Sequence, residues 1–150
     1  MAPPKTKEEA LQQMRLIWLA FLVSVLLYLY IGYAMPPFPW LEFRHAQATI
    51  SVLSVLDLVN FVWFRVKRFP SALQSAQAQP QDIHAIRRWM IEWIILITLA
   101  EAEALFGILI QWGQNSQEAI PFYALSFVLL LSLWPRQIVA SGNRTSGYTS

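Results

Sequence analysis

Apolar positions along the chain gather into four long blocks, residues 16–35, 46–66, 89–111 and 117–134, separated by polar or proline-bearing breaks. A hydrocarbon core of about 30 Å takes roughly 20 helical residues to cross. Without water at that depth, every backbone polar group must be bonded inside its own segment. The pattern therefore predicts an all-α polytopic membrane protein: one domain over residues 1–140 with four transmembrane helices, the fourth being the shortest. The Ser-, Gly- and Thr-rich stretch 141–150 is expected to be a disordered polar tail.

The breaks carry recognisable ends. Thr6-Lys7-Glu8-Glu9 fits a capping box, so the first helix is expected to begin before the membrane. Met35-Pro36-Pro37-Phe38-Pro39-Trp40 ends it, because proline cannot continue a helix and the aromatics suit a headgroup layer. Phe69 to Asp82 reads as a polar linker, and Trp112 to Ser116 as a tight turn. The basic N-terminus followed by an apolar run resembles a secretory signal, but the run is longer than a usual signal core. It is read as an uncleaved anchor.

Composition narrows the classes. The chain is 56% hydrophobic and 13% charged, more apolar than a soluble core of 150 residues can hide. It has no cysteine, and its two histidines, His45 and His84, fall at opposite membrane faces, so no metal and no cofactor is expected. The net charge of +2 would hint at nucleic acid in a soluble protein. Here the cations flank apolar blocks and set orientation instead, and no nucleic-acid partner is expected. With the N-terminus inside, Lys5, Lys7, Arg15, Arg65, Lys67, Arg68, Arg87, Arg88, Arg136 and Arg144 are cytoplasmic, and only Arg44 is external. The reading is N-in and C-in, in a cell inner (plasma) membrane, with the tryptophans as interfacial belts.

Polar residues inside the blocks are the only functional lead. Ser51, Ser54, Asp57 and Asn60 recur every three residues on the second helix as a slowly drifting stripe that must face protein or water. The third helix carries Glu92, expected to reach toward Arg88, and then Glu101 and Glu103, roughly 20 Å beyond Arg88 and near the bilayer centre. Glu103 shares a face with Ala100, Ala104 and Gly107, small residues suited to close helix contact, while Glu101 points about 200° away. Six isoleucines, four leucines and Phe106 favour insertion of this helix by about 3 to 7 kcal/mol, and two central carboxylates at about 2.5 to 3.5 kcal/mol each nearly cancel that. The helix needs neighbouring helices, water or neutralisation of its acids.

Leu99-Ala100-Glu101-Ala102 followed by Ala104-Leu105-Phe106-Gly107-Ile108-Leu109, with Gln79-Pro80 and Arg87-Arg88 before it, resembles the carboxylate helix and polar loop of the rotor-ring c subunits (proteolipids) of rotary ATP synthases. The resemblance covers about a fifth of the chain. It implies that Glu101 is an ion-carrying carboxylate and that Gln79 and Pro80 belong to a loop that meets a partner.

No nucleophile with a base, no metal-ligand spacing and no phosphate-binding glycine loop is visible, so an enzyme is the least favoured class. The leading expectation is a small membrane protein binding a proton or cation at Glu101, Glu103, Asp57 and Asn60 within a transport or energy-coupling assembly. The rival is an accessory subunit whose buried acids only hydrogen-bond neighbouring helices. Either would have the lipid bilayer and other membrane subunits, or further copies of itself, as partners. The charge asymmetry yields a first prediction. Reporter fusions at either terminus should read cytoplasmic, and cysteines introduced between Pro36 and Arg44 should react with impermeant reagents from outside. An external C-terminus would refute the four-span reading.

Overall fold

The computed structural model describes residues 6–35, 44–113 and 116–135, and every regular element among them is helical. The expected polar tail and the proline-rich loop after Met35 lie outside the described residues. Helix α1 (Lys7–Ala34) opens on Thr6, whose hydroxyl accepts the Glu9 N–H at 3.2 Å, as the capping spacing predicts. It closes at Met35, whose backbone is extended.

Helix α2 (Arg44–Trp63) does not give way to a linker. A π-helical turn, Phe64–Arg68, carries it into α3 (Phe69–Ala78), so the expected linker is helical for most of its length. Pro70 explains the junction. It has no N–H for the Val66 carbonyl, and its ring crowds that carbonyl in an ordinary α-turn. Widening the preceding turn by one residue, with the Phe69 N–H on the Phe64 carbonyl, accommodates the ring without ending the helix. Beyond it, Ala and Gln are good helix formers, and Ala72 and Ala76 are buried. The Ser71 and Ser75 hydroxyls donate back to the Arg68 and Ser71 carbonyls.

Helix α4 (Ile83–Trp112) starts at Asp82, which accepts the His84 N–H at 2.8 Å, and α5 (Ser116–Ser132) follows a turn at Gly113. Three helical stretches, Glu8–Ala34, Gln47–Ala78 and Ile83–Trp112, are long and apolar enough to cross a membrane. Helix α5, with 17 residues, is the exception. At 1.5 Å per residue it reaches about 25 Å.

Helix α4 is the hub. It packs on α1, α2, α3 and α5; α1 also meets α5, whereas α1 and α2 do not touch among the described residues. Half of its apolar window is buried, against 17% for α1 and for α2. Met14, Arg65, Trp89 and Ser132 line one cavity at one end of the bundle, and Gly32, Gln111 and Tyr123 meet at the other. Helices α1 and α4 therefore run parallel, and α2 and α5 run against them.

The tryptophans divide in a way the belt expectation does not capture. Trp63 and Trp134 are exposed at the basic end, but Trp18, Trp89 and Trp93 are buried. Trp18 Nε1 donates to the Leu130 carbonyl at 2.8 Å and Trp93 Nε1 to the Leu133 carbonyl at 3.0 Å. The Leu130 carbonyl also accepts the Leu133 N–H at 3.0 Å, so the Trp18 indole adds a second bond to it. Two indoles from α1 and α4 thus tie down the last turn of α5.

At the opposite end Gly32 lets α1 approach α4 and α5 closely. A Cβ there would lie 2.3 Å from Gln111 Oε1 and 2.8 Å from Tyr123 Oη, two groups bonded to each other at 2.9 Å. On α4, Ala100, Ala104 and Gly107 are buried, and a Cβ on Gly107 would meet the Tyr123 ring at 3.2 Å. We expect Gly32→Leu and Gly107→Leu each to lower stability by about 1 to 3 kcal/mol through overpacking, read as an earlier unfolding midpoint in mild detergent. Leu109→Ala, at a position 38% exposed, should shift the midpoint less. Equal tolerance at all three positions would remove the close-packing account.

Candidate functional site

Three carboxylates ride on α4, and a different helical segment meets each. Glu92 is buried near the basic end, and its Oε1 pairs with Arg68 Nε at 3.3 Å rather than with Arg88. The widened turn before Pro70 holds Arg68, which also lies near the rings of Trp63 and Phe64. Sequence position alone pointed to Arg88 because that residue is one turn away on the same helix. Arg88 is instead exposed.

Glu101 faces α1. Its Oε1 accepts the Ser24 hydroxyl at 2.5 Å and the Tyr28 hydroxyl at 3.2 Å. Neither partner was picked out from the sequence. The available signal was their spacing, since residues four apart share a helix face, and Ser24 is the one serine in an otherwise apolar helix.

Glu103 faces the other way, toward α2. It is fully buried; its Oε2 accepts the Ser54 hydroxyl at 2.6 Å, and its Oε1 has no partner. Asp57, one turn from Ser54 on the same helix, is half-buried, and its Oδ2 is also without a partner. The stripe on α2 is thus only partly inside. Residues three apart drift by about 60° around a helix, which buries Ser54 and half-buries Asp57 but leaves Ser51 and Asn60 exposed.

The four expected ion-binding residues therefore do not form one site. Glu103 and Asp57 come together, with Ser54 as a third member. Glu101 has its own hydroxyl donors across the helix, and Asn60 lies on an outer face. Chemically, Glu103 and Asp57 each present an oxygen with no donor, an acceptor suited to a proton or a small cation. Glu101 lacks such a demand, since two hydroxyls already converge on it.

No family model, no curated protein and no solved structure matches the chain. The geometry therefore carries the reading alone.

Double-mutant cycles test the division. Ser24→Ala with Glu101→Gln should show a coupling of about 0.5 to 1.5 kcal/mol in unfolding free energy, and so should Ser54→Ala with Glu103→Gln. The crossed pairs, Ser24→Ala with Glu103→Gln and Ser54→Ala with Glu101→Gln, should be additive. Strong crossed coupling would mean that the acids act as one cluster.

Proposed function

We propose that this chain is a small four-span membrane subunit that takes up a proton, or a small monovalent cation, at the Glu103–Asp57 pair between α2 and α4. It would sit in the inner membrane with both termini cytoplasmic, within a transport or energy-coupling assembly. The observation carrying the reading is that two neighbouring acids at mid-helix depth each keep a buried oxygen with no hydrogen-bond donor. Leaving a buried polar atom unpartnered costs about 1 to 3 kcal/mol, a cost that a bound proton or cation at these two acids would remove. A carboxylate in hydrocarbon is costly to keep ionised, so a proton or cation taken up at these acids relieves that cost and fills the vacant bonds.

The resemblance to rotor-ring c subunits implies Glu101 as the carrier, whereas the hydrogen bonding favours Glu103 with Asp57. Glu101, joined to Ser24 and Tyr28, is the observation that favours the rival reading. In that reading the acids hold helices together and partner subunits do the chemistry. The two readings assign different roles to the two sides of α4.

An apolar carbodiimide modifies neutral carboxyls in membranes and separates the readings. Asp57 is half-buried and reachable, while Glu103 is enclosed. We expect modification at Asp57, faster at acid than at alkaline pH, with the pH dependence displaced by Glu103→Gln and untouched by Glu101→Gln, because two acids that titrate together shift each other's titration. Modification at Asp57 that ignores both pH and Glu103→Gln, in folded protein, would leave the helix-glue role.

A further inference from the structure

At the basic end of the bundle, where α1 begins, α2 passes into α3, α4 begins and α5 ends, a cavity of about 250 Å³ opens between the helices. Its walls include Arg65, Gln77, Trp89 and Trp134. No acid lines it among the described residues, so its only formal charge is the Arg65 guanidinium. Among the described residues Arg65 has no carboxylate partner, and its guanidinium is held 5.3 Å from the centre of the Phe69 ring. Glu92, three residues from Trp89 on the same helix, is already taken by Arg68.

Trp89 supplies a second, independent sign. It is 2% exposed, and its Nε1 has no hydrogen-bond partner. The indoles of Trp18 and Trp93, also buried, are both bonded to α5 carbonyls. A buried indole N–H without an acceptor, in the wall of a cavity that also holds an uncompensated guanidinium, calls for an anionic oxygen ligand.

A neighbouring cavity, also about 250 Å³, shares Trp134 as a wall and is otherwise bounded by Gln12, Arg15, Leu16, Trp18 and Leu19. It is apolar apart from its rim. The ring of Trp134 meets Trp18 edge-on at 4.6 Å between the two spaces. One space suited to an anion beside one suited to hydrocarbon matches an amphiphile rather than a free ion. Lys67, Arg87 and Arg88, all exposed at the same end, place the pair at headgroup depth.

We propose that this cavity binds the phosphate of an anionic phospholipid, with Arg65 and the Trp89 N–H as its donors and the apolar space past Trp134 receiving part of an acyl chain. Arginine suits this role because its planar fork meets two phosphate oxygens at once. The site is separate from the Glu103–Asp57 pair and stands or falls without it.

Native mass spectrometry of the full chain in mild detergent, titrated with phosphatidylglycerol, phosphatidylcholine or inorganic phosphate, tests the assignment. We expect one phosphatidylglycerol retained per chain, little phosphatidylcholine, and no displacement by millimolar inorganic phosphate. R65Q should weaken retention by about tenfold or more, R65K should restore part of it, and W89F should weaken it by a few fold. K67Q, which removes an exposed cation outside the cavity, should leave retention unchanged. Thermal unfolding of each variant checks that the bundle is intact. Unchanged retention in folded R65Q, equal retention of phosphatidylcholine, or an equal loss in K67Q would overturn the site. Displacement by inorganic phosphate alone would overturn its lipid character.

Discussion

Helix α4 carries three carboxylates through a stretch rich in isoleucine and leucine, and the arrangement of the other helices follows from where their partners come from. Glu92 recruits Arg68 from the α2–α3 junction, Glu101 recruits Ser24 and Tyr28 from α1, and Glu103 recruits Ser54 from α2. Alone, α4 is marginal for insertion, since two central acids offset most of its apolar gain. Each such interhelical bond contributes about 0.5 to 1.5 kcal/mol, and together they change that balance. Because Glu101 and Glu103 point to opposite sides, α1 and α2 are drawn to opposite sides as well, which is why they do not meet.

Helix α5 is held by a different kind of interaction. It carries one acid in its first turn, Glu118, and it is too short to span by its own apolar length. What fixes it is steric at one end and polar at the other. Gly107 admits Tyr123 against α4, Gly32 admits the Tyr123–Gln111 bond beneath α1, and the indoles of Trp18 and Trp93 tie down its last turn. Glycines and tryptophans together make a short helix part of the bundle.

Much of this was legible in the sequence for physical reasons that act locally. The apolar blocks, the Thr6 cap and the burial of Ala100, Ala104 and Gly107 depend on periodicity and residue size, which sequence displays directly. The continuous helix through Phe69–Ala78 was not legible, because proline and glutamine in a polar stretch suit a loop as readily as a π-turn followed by an amphipathic helix. The pairing of acids was not legible either. Knowing that Glu101 and Glu103 face apart does not say which helix each meets, and Ser24, Tyr28 and Arg68 became partners only through tertiary packing.

The distribution of satisfied and unsatisfied groups separates fastening from binding. Glu101 has two donors on Oε1, and the indoles of Trp18 and Trp93 have acceptors within the protein. Among the buried groups without partners, Glu92 Oε2 and Ser126 Oγ belong to neither proposed site, while Glu103 Oε1 and Asp57 Oδ2 mark the first and the Trp89 N–H marks the second. The two proposed sites are opposite in sign, the first offering acceptors and the second donors. They also differ in depth, the first lying midway along α4 and the second at its basic end. The two proposed ligands would be opposite in charge and would sit at different levels of the bundle. Neither site needs the other, since no residue is common to both.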